Sequence, residues 1–350
     1  MKKASPIVTL TFPFVAGVAA AALISRPFWT ALAASAAAAG LFAAGLSRSL
    51  RVPVPLFAAL GALCWSTAAL GGGPPPRPGA LQGAMDALQA AIDGAGFPGA
   101  HSAAIVTALL TGRKGLLPRE TVRAFRDAGA SHILALSGLH LGIIYAVLKR
   151  LLSPLGNSPG ASTLRSIVTV TVCALYALAT GAGPSIIRAF LFILIGETAR
   201  SVRHRSLSPD GTFCLALTVQ LAAAPQLVAS PGFQLSYLAM LGIITLFPPL
   251  RDCYPSSRKP APLRRVWTAA ALTLSCQIFT APAAWWHFHT FPRHFLLANI
   301  IALPLVEAVI ITALATLLLQ AAGICPPVLV KACGSMVQLM EFCLDTIASM

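Results

Sequence analysis

The chain has 350 residues, 57% of them hydrophobic and 10% charged, with a mean hydropathy of +0.78. A water-soluble domain is excluded, because long stretches lack any polar helix face and that much apolar surface needs lipid to cover it. The formal charge of +15, from 25 Lys and Arg against 10 Asp and Glu, fits the basic bias of cytoplasmic loops and is also suited to a polyanionic ligand or anionic lipid.

The apolar runs predict an all-α polytopic membrane protein with about ten transmembrane helices plus interfacial amphipathic helices. At the N-terminus, MKKASPIVTLTFPFVAGVAAAAL places lysines before an apolar core, as a signal peptide does. More spans follow, so it is read as an uncleaved first helix. Residues 1–70 hold three spans, at 7–24, 28–46 and 54–70.

Residues 71–130 break this pattern and read as an external linker rich in Pro and Gly, followed by an amphipathic interfacial helix. GGGPPPRPG at 71–79 cannot be helix, because proline fixes φ and removes donors. Downstream, Pro118 suits a first helical turn. Val122, Phe125 and Ala128 share one face, and Arg119, Arg123 and Arg126 another. With Arg113 and Lys114, these arginines form a basic group on the outer side.

Residues 131–350 form the core, with spans at 132–152, 166–182, 185–200, 211–228, 233–249, 267–284 and 296–320. A last segment, 328–349, carries Glu341 and Asp345 one turn apart and is placed in the interface. With the N-terminus in the cytoplasm, most Lys and Arg fall on the inner side, and Trp285 and Trp286 fall at the outer interface. Eight scattered cysteines form no CxxC and read as small buried hydrophobes.

Polar groups inside lipid are expensive, which makes each one a candidate. In SHILALSGLHLGII at 131–144, Ser131 is placed as the helix cap. His132, Ser137 and His140 are polar, with the last two on one face, and Gly138 and Gly142 have the spacing of a close helix contact. Either they brace a helix contact or they line a path. Arg188 lies about a turn inside its span, after Gly181, Gly183 and Pro184. Ser230, Pro231, Gln234 and Ser236 repeat this design in SPGFQLSYLAMLGII. Asn299 and Glu307 flank Pro304.

No HExxH, P-loop or compact ligand spacing occurs, so neither an enzyme, a cofactor nor a metal is expected. His287, His289 and His294 read as interfacial packing. Ser137–Gly138 with His140 invites comparison with rhomboid-like proteases. Residue 135 is alanine where their GxSG pattern has glycine, and His140 lies on the helix of the serine itself.

The stretch TGRKGLLPRETVRAFRDAGASHILALSGLHLG, from Thr111 to Gly142, resembles the competence domain of the ComEC family, inner-membrane proteins of bacterial DNA uptake. Further similar motifs follow in order: GPSIIRAFL, SPGFQLSYLAMLGI, Gln277 with Pro282, LLANIIALPL, and the closing SMVQLMEFCLDTIASM. The resemblance spans about residues 104–350. Two features of many members are missing from 1–350, an external OB-fold domain and a metallo-β-lactamase-like domain with its HxHxDH signature. That implies a short form or a chain cut at Met350, any nuclease step coming from a separate protein.

The resemblance implies a multi-pass protein of the bacterial cytoplasmic membrane that carries single-stranded DNA inward. Its partners would be the strand, the lipid bilayer, and a separate nuclease, DNA receptor and cytoplasmic helicase, with homo-oligomerisation left open. The polar residues named above would line or brace the path, and Phe and Trp near 285–295 would stack bases. Two alternatives stay open: a carrier for a small anionic metabolite with Arg188 as counter-ion, and an intramembrane hydrolase.

Overall fold

The computed structural model describes residues 6–24, 30–38 except 32 and 36, 53–70, 79–156, 158–203, 208–254 and 261–350. Most of the expected 28–46 span and the Pro/Gly stretch 71–78 lie outside these. Among the described residues the structure is helical and contains no strand.

Fourteen α-helices are described: α1 Pro6–Ala22, α2 Pro53–Leu70, α3 Gly79–Asp93, α4 Gly99–Thr111, α5 Arg119–Asp127, α6 Gly138–Leu151, α7 Pro159–Ala179, α8 Pro184–Arg203, α9 Pro209–Ala223, α10 Pro231–Thr245, α11 Phe247–Asp252, α12 Ala261–Phe288, α13 Phe295–Ala321 and α14 Pro327–Ala348. Seven open on proline, whose missing N–H is harmless in the first turn. Ser158 and Ser208 precede two of these prolines, and their hydroxyls accept the Ala161 and Gly211 N–H groups at 3.2 Å.

Five helices are long and apolar enough to cross a membrane: 138–155, 159–179, 263–288, 295–321 and 327–348. Four more apolar helices are shorter, at 9–22, 54–70, 99–111 and 231–245. The protein is therefore an all-α membrane protein. The segment 328–349 has the length and composition to cross, and its face Cys333, Val337, Met340, Leu344 and Ile347 is buried.

The chain forms two compact units. The first comprises residues up to 76 together with 191–240. Here α1 and α2 pack almost backbone to backbone, because a Cβ on Gly17 would overlap the Ala58 carbonyl and one on Gly61 the Phe14 carbonyl. Thr11 ties α1 to α9, its hydroxyl 3.1 Å from that of Thr218. On α10 the Tyr237 hydroxyl donates to Gln220 Oε1 at 2.9 Å, with Phe213 and Phe233 against its ring.

The second unit comprises residues 77–190 and 241–350. Its core is built from α4, α13 and α14, with Ile105, Leu109, Val306, Ile310, Val337, Met340 and Leu344 all at most 1% exposed. Phe125 of α5 joins this core. Within the stretch read from sequence as an external linker, residues 99–111 form a helix buried from Ser102 onward, apart from a half-buried Ala103. Elsewhere in this unit Gly242 meets the Ser275 carbonyl of α12, too closely for a Cβ to fit.

Candidate functional site

The first long helix of the core does not begin where the sequence suggested. Residues 131–137 are turns, and α6 starts at Gly138, so its cap is Ser137 rather than Ser131. The reason is local. The Leu139 N–H donates to Ser137 Oγ at 3.2 Å, while the Ser137 N–H donates to His140 Nδ1 at 3.2 Å. This is a capping box with histidine in place of the usual glutamate. Gly112, in the left-handed conformation at the end of α4, then holds the turn by seating Leu136 where a Cβ would stand.

Ser137 and His140 are thus paired across a helix start rather than on a helical face. The two side chains meet at 3.0 Å, Oγ to Nδ1. Because Nδ1 accepts the backbone N–H, the ring proton sits on Nε2. That Nε2 is buried and has no hydrogen-bond partner among the described residues. His140 itself is 2% exposed, whereas His132 is exposed in the preceding turn.

Arg188 closes the site from α8. Its Nη2 lies 2.9 Å from the position a Cβ on Gly138 would occupy, and the Ala189 methyl lies 3.3 Å from it. Gly138 therefore does admit a neighbouring helix. Gly142 does not: nothing lies within 4 Å of its Cβ position, and it is exposed. On α12, Cys276 lies within electrostatic reach of Arg188, and the adjacent Gln277 is half-buried. The second unit thus gathers Ser137, Gly138, His140 and Arg188.

Other expected residues stand elsewhere. Ser230, Pro231, Gln234 and Ser236 belong to the first unit, where the Gln234 amide donates to the Val228 carbonyl at 2.8 Å and Ser236 is nearly buried. On α13 the Asn299 Oδ1 is buried without a hydrogen-bond partner among the described residues, and Glu307 is exposed midway along the helix. Trp285 and Trp286 are 56% and 78% exposed, with Phe288 and Phe291 exposed beside them.

The outer basic group divides. Arg119 and Arg123 are exposed on α5 and Lys114 is exposed before it, with no ion pair among the described residues. Arg126 lies 3.6 Å from its neighbour Asp127. Arg113 is already engaged, at 2.6 Å from Asp86 and 2.8 Å from Gln89 on α3, so it is a structural tie rather than a free surface charge. The apolar face of α5 is narrower than its spacing implied. Phe125 and Ala128 are buried, while Val122 is exposed because it falls at the edge of the contact.

Sequence reasoning missed several polar contacts that join helices: Asp86 with Arg113, His101 with Glu341, and the Tyr176 hydroxyl donating to the Leu110 carbonyl at 2.8 Å. The one local signal was the 4–3–4 spacing of Gln82, Asp86, Gln89 and Asp93, a polar stripe on a helix. No group of three or more His, Cys, Asp or Glu that could hold a metal is found among the described residues.

Residues 109–350 match the Competence protein family. The chain is also 30% identical over 190 residues to ComE operon protein 3 of Bacillus subtilis (strain 168), a match covering 54% of this chain and 23% of that protein. The matched part is thus less than a quarter of that relative's length. No solved structure matches.

Proposed function

The chain belongs to the Competence protein family, and from that premise we propose that it serves DNA uptake by conducting a single strand across the cytoplasmic membrane. One observation carries the reading: Arg188, half-buried in an apolar unit, is brought against the start of α6 at Gly138. This sets a fixed positive charge beside the start of α6, and a phosphodiester backbone presents an anion to such a charge at every step. The capping box fixes the helix start that faces it. Arg119, Arg123 and Lys114 add exposed positive charge in the segment leading to α6, where a strand would first be gathered. The exposed aromatics at 285–291 would stack bases without regard to sequence.

The proposed orientation places the N-terminus in the cytoplasm and α5 outside. The DNA path is proposed to include Ser137, His140, Arg188 and Gln277, with Gln234, Ser236, Asn299 and Glu307 as further members. A nuclease, a DNA receptor and a helicase would be separate partners.

The test is transformation in a strain lacking this chain, complemented with variants, with labelled DNA followed into the cytoplasm. Uptake should disappear on deletion, fall strongly for Arg188→Ala and recover in part for Arg188→Lys, which keeps charge but loses the planar fork. Uptake unaffected by the deletion rules the proposal out. A carrier for a small anion would need Arg188 equally but would tolerate Arg119→Glu and Arg123→Glu. A DNA channel would not.

A further inference from the structure

The two ends of α13 mark two faces of the second unit. At its start, a Cβ on Gly129 would lie 2.7 Å from Pro292 Cβ and 3.3 Å from Phe295 Cα. At its finish, the Gln320 amide donates to the Gly94 carbonyl at 2.8 Å. From Phe295 to Gln320 the helix rises roughly 38 Å, the depth of a bilayer with its interfaces. The chain between Gly94 and Gly129 must therefore cover that depth. It does so through α4, whose thirteen residues rise only about 20 Å, and the turns at each end.

Contacts along α4 fix its course. Pro98 fills the space a Cβ on Gly334 would need, and His101 pairs with Glu341, both on α14. The Leu110 carbonyl then accepts from Tyr176, and Gly112 meets Leu136. Helix α3 returns alongside, since Arg113 just beyond α4 bonds Asp86 and Gln89 near its middle. Both open ends of the α3–α4 pair thus lie on the face that carries α5, and the tip at 94–98 lies on the opposite face.

We propose that α3 and α4 form a hairpin through the membrane, which enters from the face bearing α5, turns on the opposite face beside the α13–α14 connection, and returns to the side it entered. Helix α4 alone is shorter than an ordinary span, and the turns at each end complete the depth. Its tip, Gly94-Ala95-Gly96-Phe97-Pro98, is irregular backbone at that opposite face, where protein and water can satisfy it. A cavity of about 530 Å³ lies there, bounded by Gly96, Pro98, Gln320, Gly323, Pro327 and Lys331. The stripe Gln82, Asp86, Gln89 and Asp93 on α3 brings polar groups down the same length and needs water beside it. The buried α4 fills the interior of the unit, so a polymer passing through that interior must displace the hairpin. The topology itself stands apart from the identity of any cargo.

The experiment is labelling by a membrane-impermeant maleimide in right-side-out and inside-out vesicles. A background with all eight cysteines replaced would carry single cysteines at exposed positions. Asp93→Cys and Gly94→Cys report the tip, Ile324→Cys the α13–α14 turn, and Gly83→Cys and Gly115→Cys the base. The tip and turn cysteines should react from one side and the base cysteines from the other. Tip cysteines that react from the same side as Gly115→Cys, or from neither side, overturn the hairpin. Because no DNA is involved, that outcome is separate from failure of the uptake assay.

Discussion

The guanidinium of Arg188 occupies space that only glycine at position 138 leaves open, with Nη2 standing 2.9 Å from where a Cβ would be. A methyl group there must push the far end of the arginine away, since the Ala189 methyl closes the other side at 3.3 Å. Gly138→Ala should therefore lower DNA uptake by about tenfold or more, equivalent to ~1.4 kcal/mol. In a double-mutant cycle the effect should vanish in an Arg188→Ala background, because both changes remove the same placed charge. Independent, additive losses would show that the glycine serves some other purpose.

Ser137 is the next position to separate roles. As a cap, its replacement by alanine should cost about 1 kcal/mol of stability, while Ser137→Asn and Ser137→Asp keep a side-chain acceptor and should restore it. Thermal unfolding of the purified protein in detergent reads this directly. A hydrolase using Ser137 as nucleophile would be dead in all three variants. Uptake that follows the stability order is the expected result.

How much of this was legible beforehand depends on what sets each feature. The lipid imposes long apolar runs, so α12 and α13 could be read from composition alone. The start of α6 could not. Ser131 is as good a cap as Ser137 by residue type, and the choice is made by His140 three residues on and by Leu136 packing over Gly112. Helix α4 escaped notice because AHSAAIVTALLT is short and much of its burial comes from α13 and α14, far along the chain. Asp86 and Arg113 are too far apart along the chain for helical periodicity to pair them, and tertiary packing alone joins them. Arg188 stood out because a charge in an apolar run must either snorkel outward or face water or an anion. Its neighbour Gly138 became meaningful only with coordinates.

The basic surface helix makes a prediction about salt. Arg119→Glu with Arg123→Glu should weaken single-strand binding and flatten its dependence on salt concentration. The logarithmic slope should fall by roughly 0.7 for each phosphate that is no longer neutralised. Binding of a labelled oligonucleotide to protein in nanodiscs, titrated with salt, measures it. Arg113→Ala should behave differently, leaving the slope nearly unchanged and lowering stability by at most about 1 kcal/mol, because Asp86 stays in contact with solvent when its partner is lost. A large change of slope for Arg113→Ala would mean that the ion pair opens to bind DNA.

Two glycines three residues apart provide a control on backbone strain. Gly112 has φ of +76° and Leu136 in the space a side chain would take, whereas Gly115 has open space around it. The left-handed conformation disfavours any L side chain by roughly 1–2 kcal/mol, before the clash with Leu136 is added. Gly112→Ala should therefore lower the unfolding temperature and disturb the turn that positions Ser137. Gly115→Ala should be nearly neutral. Equal behaviour of the two would indicate that Leu136 does not rest on the end of α4, and the start of α6 would then need another anchor.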